Sequence, residues 1–263
     1  MIDLHSHILP GLDDGAQDLA ASLEMARRYV AEGFTHVVAT PHAVTGETPA
    51  GWARTVVAAV AGLNRALRDH ALDLQVLPGM EVTLDPHLPA LVADGTLLTL
   101  AGGNHLLVDT PFGRLPLGWR NVVFDLAARG ITAVFAHPER CEQIMNDRTI
   151  LTAMTEAGAR LQTNYDSFAG LFGPDCTHLA RWMAAEGLIH CLATDTHDLK
   201  KRHPGNAGRL RDELTQRVGS DNLRRLSLEN PERALRGREM LAMDRDGLPR
   251  QDKRNWWQRW FSP

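Results

Sequence analysis

Short apolar runs alternate with longer amphipathic stretches along this chain at a nearly constant interval. The opening "MIDL" reads as a strand. It is followed by residues 18–32, where Leu19, Leu23, Ala26 and Val30 share one helical face, Asp18 serves as N-cap and Gly33 closes the end. Apolar runs recur at 36–40 ("HVVAT"), 74–82 ("LQVLPGMEV"), 105–109 ("HLLVD"), 132–137 ("TAVFAH"), 160–164 ("RLQTN") and 190–195 ("HCLATD"), with helical patterns between most of them, including one at 52–70. Near-continuous apolar strands separated by helices predict a parallel sheet covered on both faces, either open and doubly wound or closed as a barrel.

The polar residues that end these runs carry the chemistry. They are His5 and His7, His42, Glu81, Asp109, His137, Asn164, and Asp195 with His197. From His5 onward the steps to His42, Glu81, Asp109, His137, Asn164 and Asp195 are 37, 39, 28, 28, 27 and 31 residues, about one strand–helix unit each. In a parallel α/β barrel the carboxyl ends of all strands share one face, so these side chains are expected to converge. His36, His105 and His190 precede their strands and belong to the opposite face. A single strand-end His or Asp is more often a cap than a ligand, but the repetition over six strand ends reverses that reading. Imidazole mixed with carboxylate suits divalent manganese, iron, cobalt or zinc, and His5 and His7, two apart in a strand, can reach one ion. Asn164 is expected to support the site by hydrogen bonding.

Composition narrows the class. With 263 residues, 44% hydrophobic and 23% charged, the chain suits one globular domain of the size typical of an α/β barrel. A net charge of −4 gives no electrostatic reason to bind nucleic acid. The start has no basic, apolar secretory pattern, and no apolar segment is long enough to span a membrane, so a cytoplasmic location is expected. Cys141, Cys176 and Cys191 are too widely spaced for a disulfide framework. Six residues beyond them stand Asp147, Trp182 and His197 rather than Arg, so a C-x5-R thiolate loop is absent.

In order, "HSHILPGLDDGA", "TPH", "PGMEV", "HPER" and "DTH" resemble the PHP (polymerase and histidinol phosphatase) superfamily. The likeness is greatest to the bacterial manganese-dependent protein-tyrosine phosphatases of capsule and exopolysaccharide operons, and it runs from Met1 to about Met240. The resemblance implies a single-domain, distorted seven-stranded parallel (β/α)7 barrel holding up to three metal ions, with Mn2+ favoured and Fe, Co or Zn as alternatives. One ion would take His5, His7, Glu81 and Asp195; a second Glu81, Asp109 and His137; a third Asp14, His42 and His197. Asp109 departs from the family's usual Glu, which shortens its reach. Arg140 and Arg202 inherit phosphate binding, a role that suits their guanidinium forks. The implied activity is phosphotyrosine hydrolysis by a metal-activated water, on a tyrosine kinase that controls polysaccharide export. A histidinol-phosphatase-type phosphoesterase uses the same cluster and is the alternative; a non-catalytic scaffold is a third reading.

Residues 1–240 form the expected domain, and 241–263 read as a basic, aromatic tail. "KRNWWQRWF" sets Lys253, Arg254 and Arg259 among Trp256, Trp257, Trp260 and Phe261, so the tail is expected to dock on its own barrel, on a second subunit, or peripherally on a membrane.

Overall fold

The computed structural model describes residues 1–249. The seven apolar runs become nine strands: β1 Ile2–Ser6, β2 His36–Ala39, β3 His42–Ala43, β4 Gln75–Pro78, β5 Glu81–Thr83, β6 His105–Asp109, β7 Thr132–Ala136, β8 Arg160–Asn164 and β9 Cys191–Ala193. Two runs are each split in two. Pro41 supplies no N–H to a ladder and separates β2 from β3, while Gly79 and Met80 separate β4 from β5. Every pairing is parallel, in two sheets of order β1-β2-β4 and β3-β5-β6-β7-β8-β9.

No continuous ladder closes these strands into a barrel among the described residues. On one side the two sheets meet at a single parallel bridge, Ser6 to Thr196. There the His7 N–H donates to the Thr196 carbonyl at 2.9 Å and the Asp195 N–H to the His5 carbonyl at 3.0 Å. That seam holds the beginning and the end of the strand series together.

Both faces of the strands are buried. Val37, Ala39, Leu106, Val108 and Phe135 pack under the helices. Their neighbours Val38, Leu107 and Val134 join Ile2, Leu4 and Cys191 in a second apolar cluster, covered by Leu100, Ala234 and Met240. Each buried Leu, Val or Phe contributes about 1.5–3 kcal/mol relative to exposure, so both faces anchor strand register. Along β6 the second cluster holds Leu107, and Asp109 follows two positions later on the same face.

The first helix, Leu19–Ala31, starts as expected: the Asp18 carboxylate accepts the Ala21 N–H at 2.8 Å, and Gly33 follows with φ 81°. Its buried face keeps Leu23 and Ala26 of the predicted one, with Val30 packed against the core. Leu19 is exposed, and Ser22, Leu23, Met25, Ala26 and Tyr29 face inward, because the Tyr29 hydroxyl reaches the buried Asp3 carboxylate at 2.8 Å. The expected second helix spans Trp52–Asp69.

No helix among the described residues is long and apolar enough to cross a membrane. Past Met240 the chain runs back along the last helices, where Asn230 brackets Leu241 and Asn222 brackets Asp244 through paired backbone hydrogen bonds of 2.8–2.9 Å. The aromatic run from Trp256 to Phe261 lies outside the described residues.

Candidate metal centre

Strand β1 carries an extra residue between Asp3 and Ser6 relative to β2, so its alternation is reset there. Asp3 therefore turns to Tyr29 and to the Thr194 N–H, while His5 turns to the other side, where its Nδ1 meets Gln162 Oε1 at 2.9 Å. Beyond β1 the chain folds back on itself, with the Ala16 N–H donating to the His7 carbonyl at 3.0 Å. This turn presents Asp13 to His7 Nδ1 at 2.6 Å and Asp14 to the cluster. Both imidazoles thus have one nitrogen engaged and the other, Nε2, free to face the centre.

The two Nε2 atoms lie 3.2 Å apart. His5 Nε2 is 3.2 Å from Glu81 Oε2 and 3.3 Å from Asp195 Oδ1; His7 Nε2 is 3.4 and 3.6 Å from the same oxygens. Glu81 extends the cluster, with its Oε1 3.0 Å from His137 Nε2 and its Oε2 3.1 Å from His42 Nδ1. Asp109 Oδ1 stands farther off, 3.9 Å from His137 Nε2. Asp14 Oδ1 is 3.4 Å from Nε2 of both His42 and His197.

Four overlapping sets of donors result, each within 4.8 Å: His7, Asp14, His42 and His197; His5, His7 and Glu81; His5, His137 and Asp195; and Glu81, Asp109 and His137. All nine residues predicted as ligands fall in these sets. Their grouping differs in detail from the predicted three: His7 joins the Asp14 group, and His137 lies near His5 and Asp195 as well as Glu81 and Asp109. His36, His105 and His190 belong to none of them. Five of the nine are almost inaccessible, whereas Asp14, at 65% side-chain exposure, opens the third set to solvent.

The electrostatics ask for cations. Burial alone would push the His5 imidazole down, yet the Glu81 and Asp195 carboxylates raise it to about 9. Burial likewise opposes protonation of His42, but hydrogen bonds to Asp14 and Glu81 carry it to about 11. Burial raises the Glu81 and Asp195 carboxyls, but the surrounding histidines, with Arg202 at Asp195, hold both well below the usual carboxylate range. Contact with His197 and His42 does the same for Asp14. Glu81, Asp195 and Asp14 stay ionised while His5 and His42 gather protons, which favours positive charge at the centre; burial acts the other way on two members, lowering His197 and raising Asp109.

The residues fit divalent metal ions. The two Nε2 atoms facing each other cannot both hydrogen-bond there as neutral acceptors, and the buried Asp195 Oδ1 and His137 Nδ1 have no hydrogen-bond partner. Ligands about 2.1 Å from an ion stand about 3.4 Å apart in a tetrahedron and about 3.0 Å apart in an octahedron, the range spanned by most of these contacts.

Both predicted arginines reach the cluster. Arg140 Nη1 lies 3.2 Å from Asp195 Oδ2, and Arg202 Nη2 contacts the same oxygen. Asn164 donates to that oxygen at 2.8 Å and accepts from Gln162 at 2.7 Å, the supporting role expected of it. The sequence assigned Asp13, Gln162 and Glu139 no role. Gln162 had a signal, lying two positions before Asn164 on the same face of β8. Glu139, which accepts the Asn164 N–H at 2.9 Å and the Ser167 hydroxyl at 2.6 Å, had none beyond its place in "HPER". His137 and Asp195 themselves adopt left-handed backbone, φ 35° and 51°, as do Ala71 and Ala101 away from the cluster.

Residues 1–236 match the family model described as capsular polysaccharide synthesis, CpsB/CapC. The chain belongs to the CpsB/CapC family. Among its relatives, the tyrosine-protein phosphatase YwqE of Bacillus subtilis (strain 168) is 36% identical over 206 residues, 77% of this chain and 80% of YwqE. The tyrosine-protein phosphatase CpsB of Streptococcus pneumoniae is 24% identical over 246 residues, 89% and 98% of the two chains. A crystal structure from work on YwqE of B. subtilis and CpsB of S. pneumoniae, there called unique metal-dependent tyrosine phosphatases, superposes with a TM-score of 0.87 at 33% identity, covering 95% of this chain and all of the other.

Proposed function

We propose that this protein is a metal-dependent protein-tyrosine phosphatase whose substrate is a phosphotyrosine-bearing kinase of capsule or exopolysaccharide synthesis, with manganese as its working metal. The observation that carries this reading is the convergence of four overlapping His/Asp/Glu sets with two arginines on a common carboxylate, Asp195. The names of the family's relatives favour phosphotyrosine over histidinol phosphate. We take the two sheets to be one distorted seven-stranded barrel, interrupted at Pro41 and Gly79 and stitched at the Ser6–Thr196 bridge.

His5, His7, Asp14, His42, Glu81, Asp109, His137, Asp195 and His197 would hold the ions. When bound, divalent metals supply an acidified water for attack on phosphorus and neutralise charge on the phosphate oxygens. The chain's part is positioning. Gln162 and Asp13 fix the His5 and His7 ring orientations, and Asn164 fixes Asp195. Arg140 and Arg202 offer planar donor edges to the non-bridging phosphate oxygens, an arrangement matched to the charge that builds up in phosphoryl transfer.

A cysteinyl-phosphate route has no support. Burial raises all three thiols, Cys176 to about 12, which keeps them protonated at neutral pH, and none follows the C-x5-R spacing.

Hydrolysis of p-nitrophenyl phosphate should depend on added Mn2+ and stop with EDTA. A phosphotyrosyl peptide and histidinol phosphate should be tested in parallel. Metal-independent turnover would overturn the mechanism, and a marked preference for histidinol phosphate would overturn the substrate class.

A further inference from the structure

Two phenylalanine rings flank Arg140. Its guanidinium carbon is 4.4 Å from the Phe112 ring centroid and 4.1 Å from that of Phe172, and the Arg202 guanidinium carbon lies 5.9 Å from the Phe172 ring. Phe112 also stands 6.1 Å, ring to ring, from His137. The two aromatic side chains therefore border both the phosphate-facing arginines and the donor cluster. Phe112 is 58% exposed. Leu117 and Phe124 are more exposed still, so what distinguishes Phe112 is its place beside Arg140 and His137.

Neither ring is on a loose arm. The Phe112 carbonyl accepts the Glu142 N–H at 2.6 Å and the Gly113 carbonyl accepts the Gln143 N–H at 3.0 Å, which ties Phe112 to the segment that begins at Arg140. Phe172 sits in a turn between Gly170 and Gly173, whose φ values of 84° and 91° suit glycine, and the Gly173 N–H closes that turn on the Gly170 carbonyl at 3.2 Å.

A guanidinium held against aromatic faces keeps its N–H donors in its own plane, where those of Arg140 not engaged by Asp195 Oδ2 can meet an anion. The leaving group of an aryl phosphate is itself a ring, attached to the phosphate by one oxygen. With the phosphate on Arg140 and Arg202, that ring is brought to the Phe112 and Phe172 side, where offset or edge-to-face contact is favourable. An alkyl phosphate has no group to make that contact.

We propose that Phe112 and Phe172 are the specificity-determining residues of this site, forming an aromatic rim that receives the substrate's ring, so that aryl phosphomonoesters are selected over alkyl ones. The proposal rests on the phosphatase reading above and deepens it by assigning the aryl preference to two residues.

The test uses the full chain loaded with Mn2+, its Phe112→Leu and Phe172→Leu variants, and Phe→Tyr at each position. One readout is turnover of a phosphotyrosyl peptide and of the same peptide bearing phosphoserine. The other is calorimetric binding of benzylphosphonate and of methylphosphonate, which cannot be hydrolysed. Each Leu variant should weaken benzylphosphonate roughly tenfold and raise KM for the phosphotyrosyl peptide by a similar factor, while changing methylphosphonate binding by less than about threefold; the Tyr variants should restore the preference. Equal loss for both phosphonates, or an unchanged ratio, would overturn the proposal. Failure of the phosphatase reading looks different: the wild-type chain would turn over neither peptide, while the phosphonate ratio would still respond to the Leu substitutions.

Discussion

Asp109 makes the longest imidazole–carboxylate approach in the cluster, 3.9 Å to His137, where Glu81 comes within 3.0 Å of the same nitrogen. One methylene more would bring its carboxylate to the centre, and at 32% side-chain exposure there is room for it. Asp109→Glu is therefore expected to lower the Mn2+ concentration for half-maximal activity by roughly tenfold, the lower end of what a repositioned ligand shell changes. Metal titration of p-nitrophenyl phosphate hydrolysis measures this, and an unchanged or raised requirement would show that Asp109 is not limited by reach. The residue scale is also where sequence reading was most informative. All nine predicted ligands fall into the donor sets: eight are histidines or carboxylates visible at strand ends, and Asp14 came from the family resemblance. Asp13 and Gln162 were given no role, because an acceptor for an imidazole nitrogen can be any of several residue types.

At the scale of single elements, the turn from His7 to Ala16 shows how local chain geometry sets the site. A Cβ on Gly15 would collide with the His7 carbonyl and Cβ, and the Gly15 N–H is held by Asp13 Oδ1 at 3.0 Å while Asp13 Oδ2 holds His7 Nδ1. Gly15→Ala must push this turn away from β1, taking Asp13 off His7 and Asp14 off His42 and His197. A displacement of about 1 Å at a catalytic constellation costs on the order of a hundredfold in rate, so kcat/KM should fall by about that factor while the far-UV circular dichroism stays native. Wild-type turnover in this variant would mean that the turn does not position the ligands. The bulge in β1 is a comparable device that the sequence did not reveal. Simple alternation would put Asp3 and His5 on one side, but the extra residue sends Asp3 to Tyr29 and His5 to Gln162. Bulges arise from pairing with a neighbour strand, so the pattern of one strand does not carry them.

Across the whole molecule, the histidines divide by environment. Those at the strand ends are surrounded by carboxylates, whereas His105 and His190 are buried without one in contact, and burial pushes them down to about 4 and about 3. Their protonation is thus favoured in the unfolded chain. Between the ordinary histidine value near 6.5 and these lowered values the unfolded state binds more protons, so stability falls as pH drops through that window and is fully retained above it. His105 has no hydrogen-bond partner on either ring nitrogen, so His105→Leu removes the titration without breaking a side-chain hydrogen bond. In urea unfolding of chelator-stripped protein, the variant should lose less stability than wild type from pH 6.5 to 4, by up to about 1.4 kcal/mol per pH unit. Parallel pH profiles for the two proteins would refute the assignment.

The sequence by itself determined the strand–helix alternation, the parallel class, and eight of the nine residues able to ligate metal, because hydrophobic periodicity and side-chain chemistry are local properties; Asp14 was legible only through the family resemblance. Only the tertiary structure decided how the seven runs break into nine strands and two sheets, which inward face of the first helix is used, how the nine donors are shared among overlapping sets, and that Phe112 and Phe172 border Arg140. Each of those depends on which distant backbone supplies the neighbouring hydrogen bond or the facing surface, and a residue's own identity does not specify its partner.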